Sequence, residues 1–99
     1  MPRPRRAVMS ALRRKGFSET EGDHTYYIYF TLDGRKTVAK TKVSHSGKDI
    51  SDPVLGMMAR QCKLAGPKFY DLVDCPLSRE SYEQILKDQG FAGPRTKRP

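Results

Sequence analysis

Residues His24–Leu32 (HTYYIYFTL) are almost entirely aromatic or β-branched, and they run straight into Asp33-Gly34. Such side chains suit a pleated, half-buried surface, and Asp-Gly is a hairpin turn signal. Arg35–Val43 (RKTVAKTKV) alternates well enough to return as the next strand. The centre of the chain is therefore predicted to be an antiparallel hairpin, and the remaining elements must pack around it.

The length of the connection decides which side chains share a face. A two-residue turn at Asp33-Gly34 pairs Leu32 with Arg35, puts His24 opposite Val43 and leaves His45 one diagonal step away. A four-residue loop over 33–36 sets His24 directly opposite His45. In either case the two β-carbons lie roughly 5–8 Å apart. A three-residue loop or a bulge sends the histidines to opposite faces. Even loops also gather Tyr26, Ile28, Phe30, Ala39 and Val43 on one face for helices to cover. Tyr27 and Tyr29 then share the other with Val38, Lys40 and Lys42, and this sorting favours an even loop.

Around the hairpin the pattern predicts a helix from Pro4 or Arg5 to Lys15, with Ala7, Val8, Ala11 and Leu12 as its apolar stripe. Gly16 stops it, and Phe17–Thr20 supplies a first strand ending at Gly22. Ser51 or Asp52 caps a second helix, with Pro53 near its first position and Val54, Leu55, Met58, Cys62 and Ala65 on one face. That helix is expected to end before Gly66-Pro67. Lys68–Val73 reads as a short helix broken at Cys75-Pro76. Ser78 caps a last one over Arg79–Gln89, with Leu77 and Tyr82 at hydrophobic-staple spacing. The fold class is α+β: α-β-β-β-α with a three-stranded antiparallel sheet, followed by a C-terminal helical extension. In domain terms we expect a basic disordered arm at 1–4, the domain at 5–66, the extension packed on it at 67–90, and a basic disordered tail at 91–99.

The formal net charge of +8 points towards polyanions, and its distribution is uneven. Arg3, Arg5, Arg6, Arg13, Arg14 and Lys15 crowd the first fifteen residues without an acid, and Arg95, Lys97 and Arg98 do the same after Gly90. Residues 16–90 hold ten basic and eleven acidic side chains, so the excess belongs to the first helix and the two ends. Cys62 and Cys75 have neither metal-ligand spacing nor the number for a disulfide framework, and a reducing cytoplasm is the expected setting. No apolar run approaches the ~18 residues of a membrane span. No hydrophobic segment follows the basic start, as a signal peptide would require.

His24 and His45 are the only histidines, and both fall at the edge of the hairpin. An imidazole titrates near neutrality, so it can move a proton at physiological pH. RNA carries its own nucleophile, the 2′-hydroxyl beside the scissile phosphate. A cutting site therefore needs little beyond an acid or base, a cation for the developing charge, and positioning. His24 is the candidate acid or base and His45 a candidate assistant. Arg13, Arg14, Lys15, Lys40, Lys42 and Lys48 are the candidate RNA-binding cations. The same residues also fit half-exposed strand-edge histidines beside a solvated lysine face. Ser46-Gly47-Lys48 lacks the glycine-rich run of a phosphate-binding loop.

The order of these pieces, from about Ala11 to Ala65, resembles the HicA family of bacterial toxins. Lys15-Gly16-Phe17 is similar to the family's lysine, glycine and aromatic before the first strand. Gly22-Asp23-His24 stands where the family has Gly-Ser-His, Asp33-Gly34-Arg35 where it has its hairpin turn, and Val43–Ile50 where a characteristic segment precedes its last helix. The resemblance implies a double-stranded-RNA-binding-like fold and an mRNA interferase, an endoribonuclease needing no metal or other cofactor. It carries His24 over as the catalytic histidine, with Gly22 and Asp23 shaping the active site. The implied partners are mRNA and a HicB-like antitoxin that covers the site. The chain departs from the family in Asp23, which replaces a serine, and in its longer basic start and the extension beyond Ala65. A non-catalytic RNA-binding module on the same fold, or a protein-interaction domain, fits the residues without the resemblance.

Overall fold

A computed structural model describes residues 1–92. The chain runs β1 (Arg3–Pro4), α1 (Arg5–Arg14), β2 (Phe17–Glu21), β3 (Thr25–Phe30), β4 (Lys36–Val43), β5 (Asp49–Ile50), α2 (Asp52–Gln61), α3 (Gly66–Asp74) and α4 (Arg79–Asp88). It is an α+β fold: α1, then the antiparallel sheet β2-β3-β4, then three helices. Among the described residues no helix is long and apolar enough to cross a membrane.

The central hairpin forms, but with an odd loop. Thr31 donates its backbone N–H to the Arg35 carbonyl at 2.8 Å, leaving Leu32, Asp33 and Gly34 as the turn. Gly34 takes a φ of +89°, a conformation that needs no strain without a β-carbon. The Thr31 hydroxyl accepts the Arg35 N–H at 2.9 Å. Further down, β4 has Thr37, Val38 and Ala39 where β3 has only Tyr29, a bulge that shifts the register by two and so keeps the faces. The even loop is thus overturned, and with it the predicted sorting. Thr25, Tyr27 and Tyr29 face the core with Ala39, Thr41 and Val43, while Tyr26, Ile28 and Phe30 share the half-buried outer face with Lys40 and Lys42.

Polar satisfaction explains why these two tyrosines can go inside. The Tyr27 hydroxyl donates to Glu19 at 2.5 Å, and the Tyr29 hydroxyl donates to buried Glu83 at 2.6 Å. A buried phenol with a carboxylate acceptor avoids the penalty of an unpaired hydroxyl. Burial and the Glu83 bond push the Tyr29 phenol up to about 12. Tyr29 stacks edge-on against Phe17 and Tyr82, at centroid distances of 5.4 and 5.0 Å. Through Tyr82, α4 belongs to the same core as Val8, Leu12, Leu55 and Phe69.

Three boundaries differ from expectation. Helix α2 ends at Gln61 rather than near Ala65, because Lys63 adopts a φ of +65° and Leu64 turns its N–H back to the Ala59 carbonyl. Helix α3 starts at Gly66, with Pro67 inside its first turn, where the absent N–H costs nothing. Residues 1–4, expected as a loose arm, lie against the domain. Arg3 and Pro4 pair with Ile50 and Asp49, and the Arg3 guanidinium holds Asp74 through two bonds of 2.9 and 2.7 Å. The expected tail, 91–99, lies outside the described residues from position 93 onwards.

Candidate functional site

His24 closes the tight connection between β2 and β3. Glu21 pairs with Thr25, and the Gly22 N–H donates to the His24 carbonyl at 2.9 Å, so residues 22–24 form the turn. Asp23 caps that turn: its Oδ1 accepts the His24 backbone N–H at 3.0 Å and the Tyr26 hydroxyl at 2.7 Å. The Tyr26 bond holds the Asp23 carboxyl below the usual carboxylate range. Gly22 has no left-handed φ, and a β-carbon there would meet the Tyr26 ring at an ordinary 3.6 Å. The backbone therefore does not demand glycine at this position.

The imidazole of His24 is about one-third exposed, yet its Nδ1 is covered and makes no hydrogen bond, Asp23 Oδ2 being 3.8 Å away. His45 comes close, with 6.5 Å between ring centroids, although the odd register assigns the two to opposite faces. Strand β4 ends at Val43, so the alternation no longer governs position 45. The His45 Nε2 lies 3.1 Å from Glu21 Oε1, which ties this ring to the end of β2. The two histidines are neighbours, each with its own carboxylate.

A cleft of about 280 Å³ opens beside His24. Lys42, Ser46, Asp49 and Ser51 line it with polar groups, and Val43, Ile50, Val54, Met57 and Met58 form its apolar wall. The loop that shapes it is fastened from the amino-terminal segment. Arg5 donates its backbone N–H to the Lys48 carbonyl at 2.7 Å, its Nε to the Gly47 carbonyl at 2.9 Å and its Nη1 to the Ser44 carbonyl at 3.2 Å. Asp49 also borders an adjoining hollow of about 320 Å³ with Arg5, Arg6 and Lys48. Lys42 is shared with a shallower one of about 210 Å³ that includes Tyr26 and Lys40. Cations thus line both hollows that share a residue with the cleft.

The structure brings His24, His45, Asp23, Gly22, Lys40, Lys42 and Lys48 into one region and leaves three expected cations out of it. Arg13 is paired with Glu19 at 2.7 Å. Arg14 donates to Ser10 Oγ at 2.7 Å and to Cys75 Sγ at 3.3 Å. Lys15 is only 8 % exposed and donates its ammonium to the Leu77 carbonyl, so it cannot serve as a phosphate contact. Their places are taken by Arg5 and Arg6. A signal for these two was present: cations in the first turn of a helix with no acid there oppose the helix dipole. Val54 and Met57, each 41 % exposed, are a further departure from a simple apolar stripe. Among the described residues no group of three or more His, Cys, Asp or Glu side chains is gathered as a metal site.

Chemically, the arrangement offers an imidazole within reach of solvent, an ammonium at the same cleft, and cations continuing to either side. It can hold an anion and exchange a proton with it. Fold and site together define a small α+β protein with a histidine at the mouth of a cation-flanked cleft. Comparison with protein-family models, with curated proteins and with solved structures finds no match in any of the three.

Proposed function

We propose that this chain is a HicA-like endoribonuclease that acts in the cytoplasm, binds mRNA and cleaves it without a metal, using His24 as general acid or base. The observation that carries the reading is the position of His24 on a cleft shared with Lys42 and continued by Arg5, Arg6 and Lys48. The resemblance of Gly22-Asp23-His24 and Val43–Ile50 to the toxin family supplies the reaction, and a double-stranded-RNA-binding-like fold belongs to the same proposal. On this reading Lys42 faces the developing phosphorane charge, and one imidazole is worth ~10²–10⁴-fold. A HicB-like antitoxin would neutralise the protein by covering the cleft.

A non-catalytic RNA-binding module is the second reading. It is favoured by the carboxylates of Asp23 and Glu21, which stand beside the two imidazoles and would repel a phosphate. Incubation with a long labelled RNA in EDTA separates the two, with a His24→Ala variant shown to be folded run alongside. The expected outcome is cleavage by the parent alone. If both proteins bind RNA and neither cuts it, the binding module is the correct reading.

A further inference from the structure

The cleft beside His24 carries more apolar surface than a phosphate site needs. A phosphodiester calls for cations and hydrogen-bond donors, and Lys42 and His24 already provide them. The same cleft is lined by Val54, Met57 and Met58 of α2, and two of these three apolar side chains remain 41 % exposed. Thioethers are polarisable and pack well against flat π-faces. Ser46, Asp49 and Ser51 line the same cleft and offer both donors and acceptors to the edge of a ring.

The cations set the direction of a chain lying across this cleft. Lys40 and Lys42 belong to the hollow that meets the cleft at Lys42, and Arg5, Arg6 and Lys48 to the one that meets it at Asp49. A polyanionic backbone following them must pass over the apolar floor. The group it can lower there is a base. At about 280 Å³ the cleft lies near the lower end of small-molecule sites, ~300–1,000 Å³, and has room for a heterocycle. Bases inside an A-form duplex cannot be lowered in this way, whereas unpaired ones can be splayed out and read on their edges.

We infer that the cleft is a nucleobase pocket, which takes one unpaired base next to the phosphodiester facing His24 and makes single-stranded RNA the substrate. This inference rests on His24 being directed at RNA, and it adds Val54 and Met57 as the residues that set base preference.

The test is direct binding to the full chain, labelled with ¹³C at its methionine methyls. The probe is a short 2′-O-methyl RNA strand, which has no free 2′-hydroxyl and cannot be cut, beside the same strand with one abasic position and the same strand in a duplex. The methyls of Met57 and Met58 should shift saturably with the intact single strand and stay in place with the abasic one. The abasic strand should bind about tenfold or more weakly, the scale of removing one stacked base. Met57→Gln, or Val54→Asp if the first does not fold, should shrink the difference between intact and abasic strands. Equal binding of intact and abasic strands, or tighter binding of the duplex with unmoved methyls, overturns the inference whether or not the chain cuts RNA. Base-dependent shifts in a chain that leaves a cleavable RNA intact would sustain the pocket and remove the catalytic role of His24.

Discussion

Glu19 shows how much one carboxylate does in a small sheet. Its Oε2 accepts from the Tyr27 hydroxyl at 2.5 Å and from Arg13 at 2.7 Å, so it links the buried face of β3 to the end of α1. The Tyr27 bond, and after it the Arg13 bond, hold this carboxyl below its ordinary range. Desolvation and the same Glu19 bond push the Tyr27 phenol up. A carboxyl whose folded pKa is depressed contributes stability above its unfolded value of ~4.3 and loses it as pH falls through the folded value. Glu19→Gln should therefore be less stable than the parent at pH 7. It should also lose less stability on acidification below about pH 5, because one of the linked carboxyls is gone. Urea midpoints measured across that range check both statements. A variant as acid-sensitive as the parent would assign the sensitivity to Asp23, Asp33, Asp52 and Asp74, whose carboxyls are also held low.

Helix α4 meets the sheet through Arg79, Tyr82 and Glu83, and Arg79 makes the closest approach to the backbone. Arg79 passes over Gly16, donates to the Phe30 and Thr31 carbonyls at 3.0 and 3.3 Å, and lies 5.5 Å from the centroid of the Tyr29 ring. A β-carbon on Gly16 would collide with that guanidinium, 2.6 Å from its Cζ, and Gly16 has a φ of +95°. Gly16→Ala should cost about 1–3 kcal/mol in chemical denaturation, from both the strained backbone and the displaced guanidinium. In an Arg79→Ala background the same substitution should cost measurably less, and equal costs would place the whole effect in the backbone. The helix-stop role of Gly16 was legible in the sequence, and so was the Ser78 cap, whose Oγ accepts the Ser81 N–H at 3.1 Å. These are local signals. Arg79 over Gly16 is not local, so no pattern around either residue announces it. The faces of the hairpin were misread for a related reason: both sets of β3 side chains are aromatic, and alternation cannot rank them. What decides is the remote pair of acceptors, Glu19 and Glu83. His24 at a turn was legible too, but Arg5 and Arg6 reach the hollow beside its cleft through the non-local pairing of residues 3–4 with 49–50 and the Arg5 bonds to the 44–48 loop.

Across the whole molecule the positive charge divides into two groups with different electrostatic worth. Arg13 is neutralised by Glu19, and Lys15 is buried under Leu77. Arg6 and Lys48 are exposed and, among the described residues, make no ion pair. A cation that already has a carboxylate partner releases few counterions when a polyanion arrives, whereas a free one releases its full share. Composition alone cannot draw this distinction, since all four residues count equally towards the formal charge. Binding of a labelled homopolymeric single strand, followed by anisotropy over a series of salt concentrations, does draw it. Replacing Arg6 and Lys48 together by alanine should lower the steepness of log K against log salt by about 1.4, or ~0.7 for each phosphate no longer neutralised. Arg5 is left in place because its side chain also fastens the loop at Gly47 and Ser44. Replacing Arg13, which Glu19 already neutralises, should leave the slope close to that of the parent. The reverse ranking would move the polyanion track from the His24 cleft to the far end of α1, and would separate the bound strand from the imidazole that is meant to act on it.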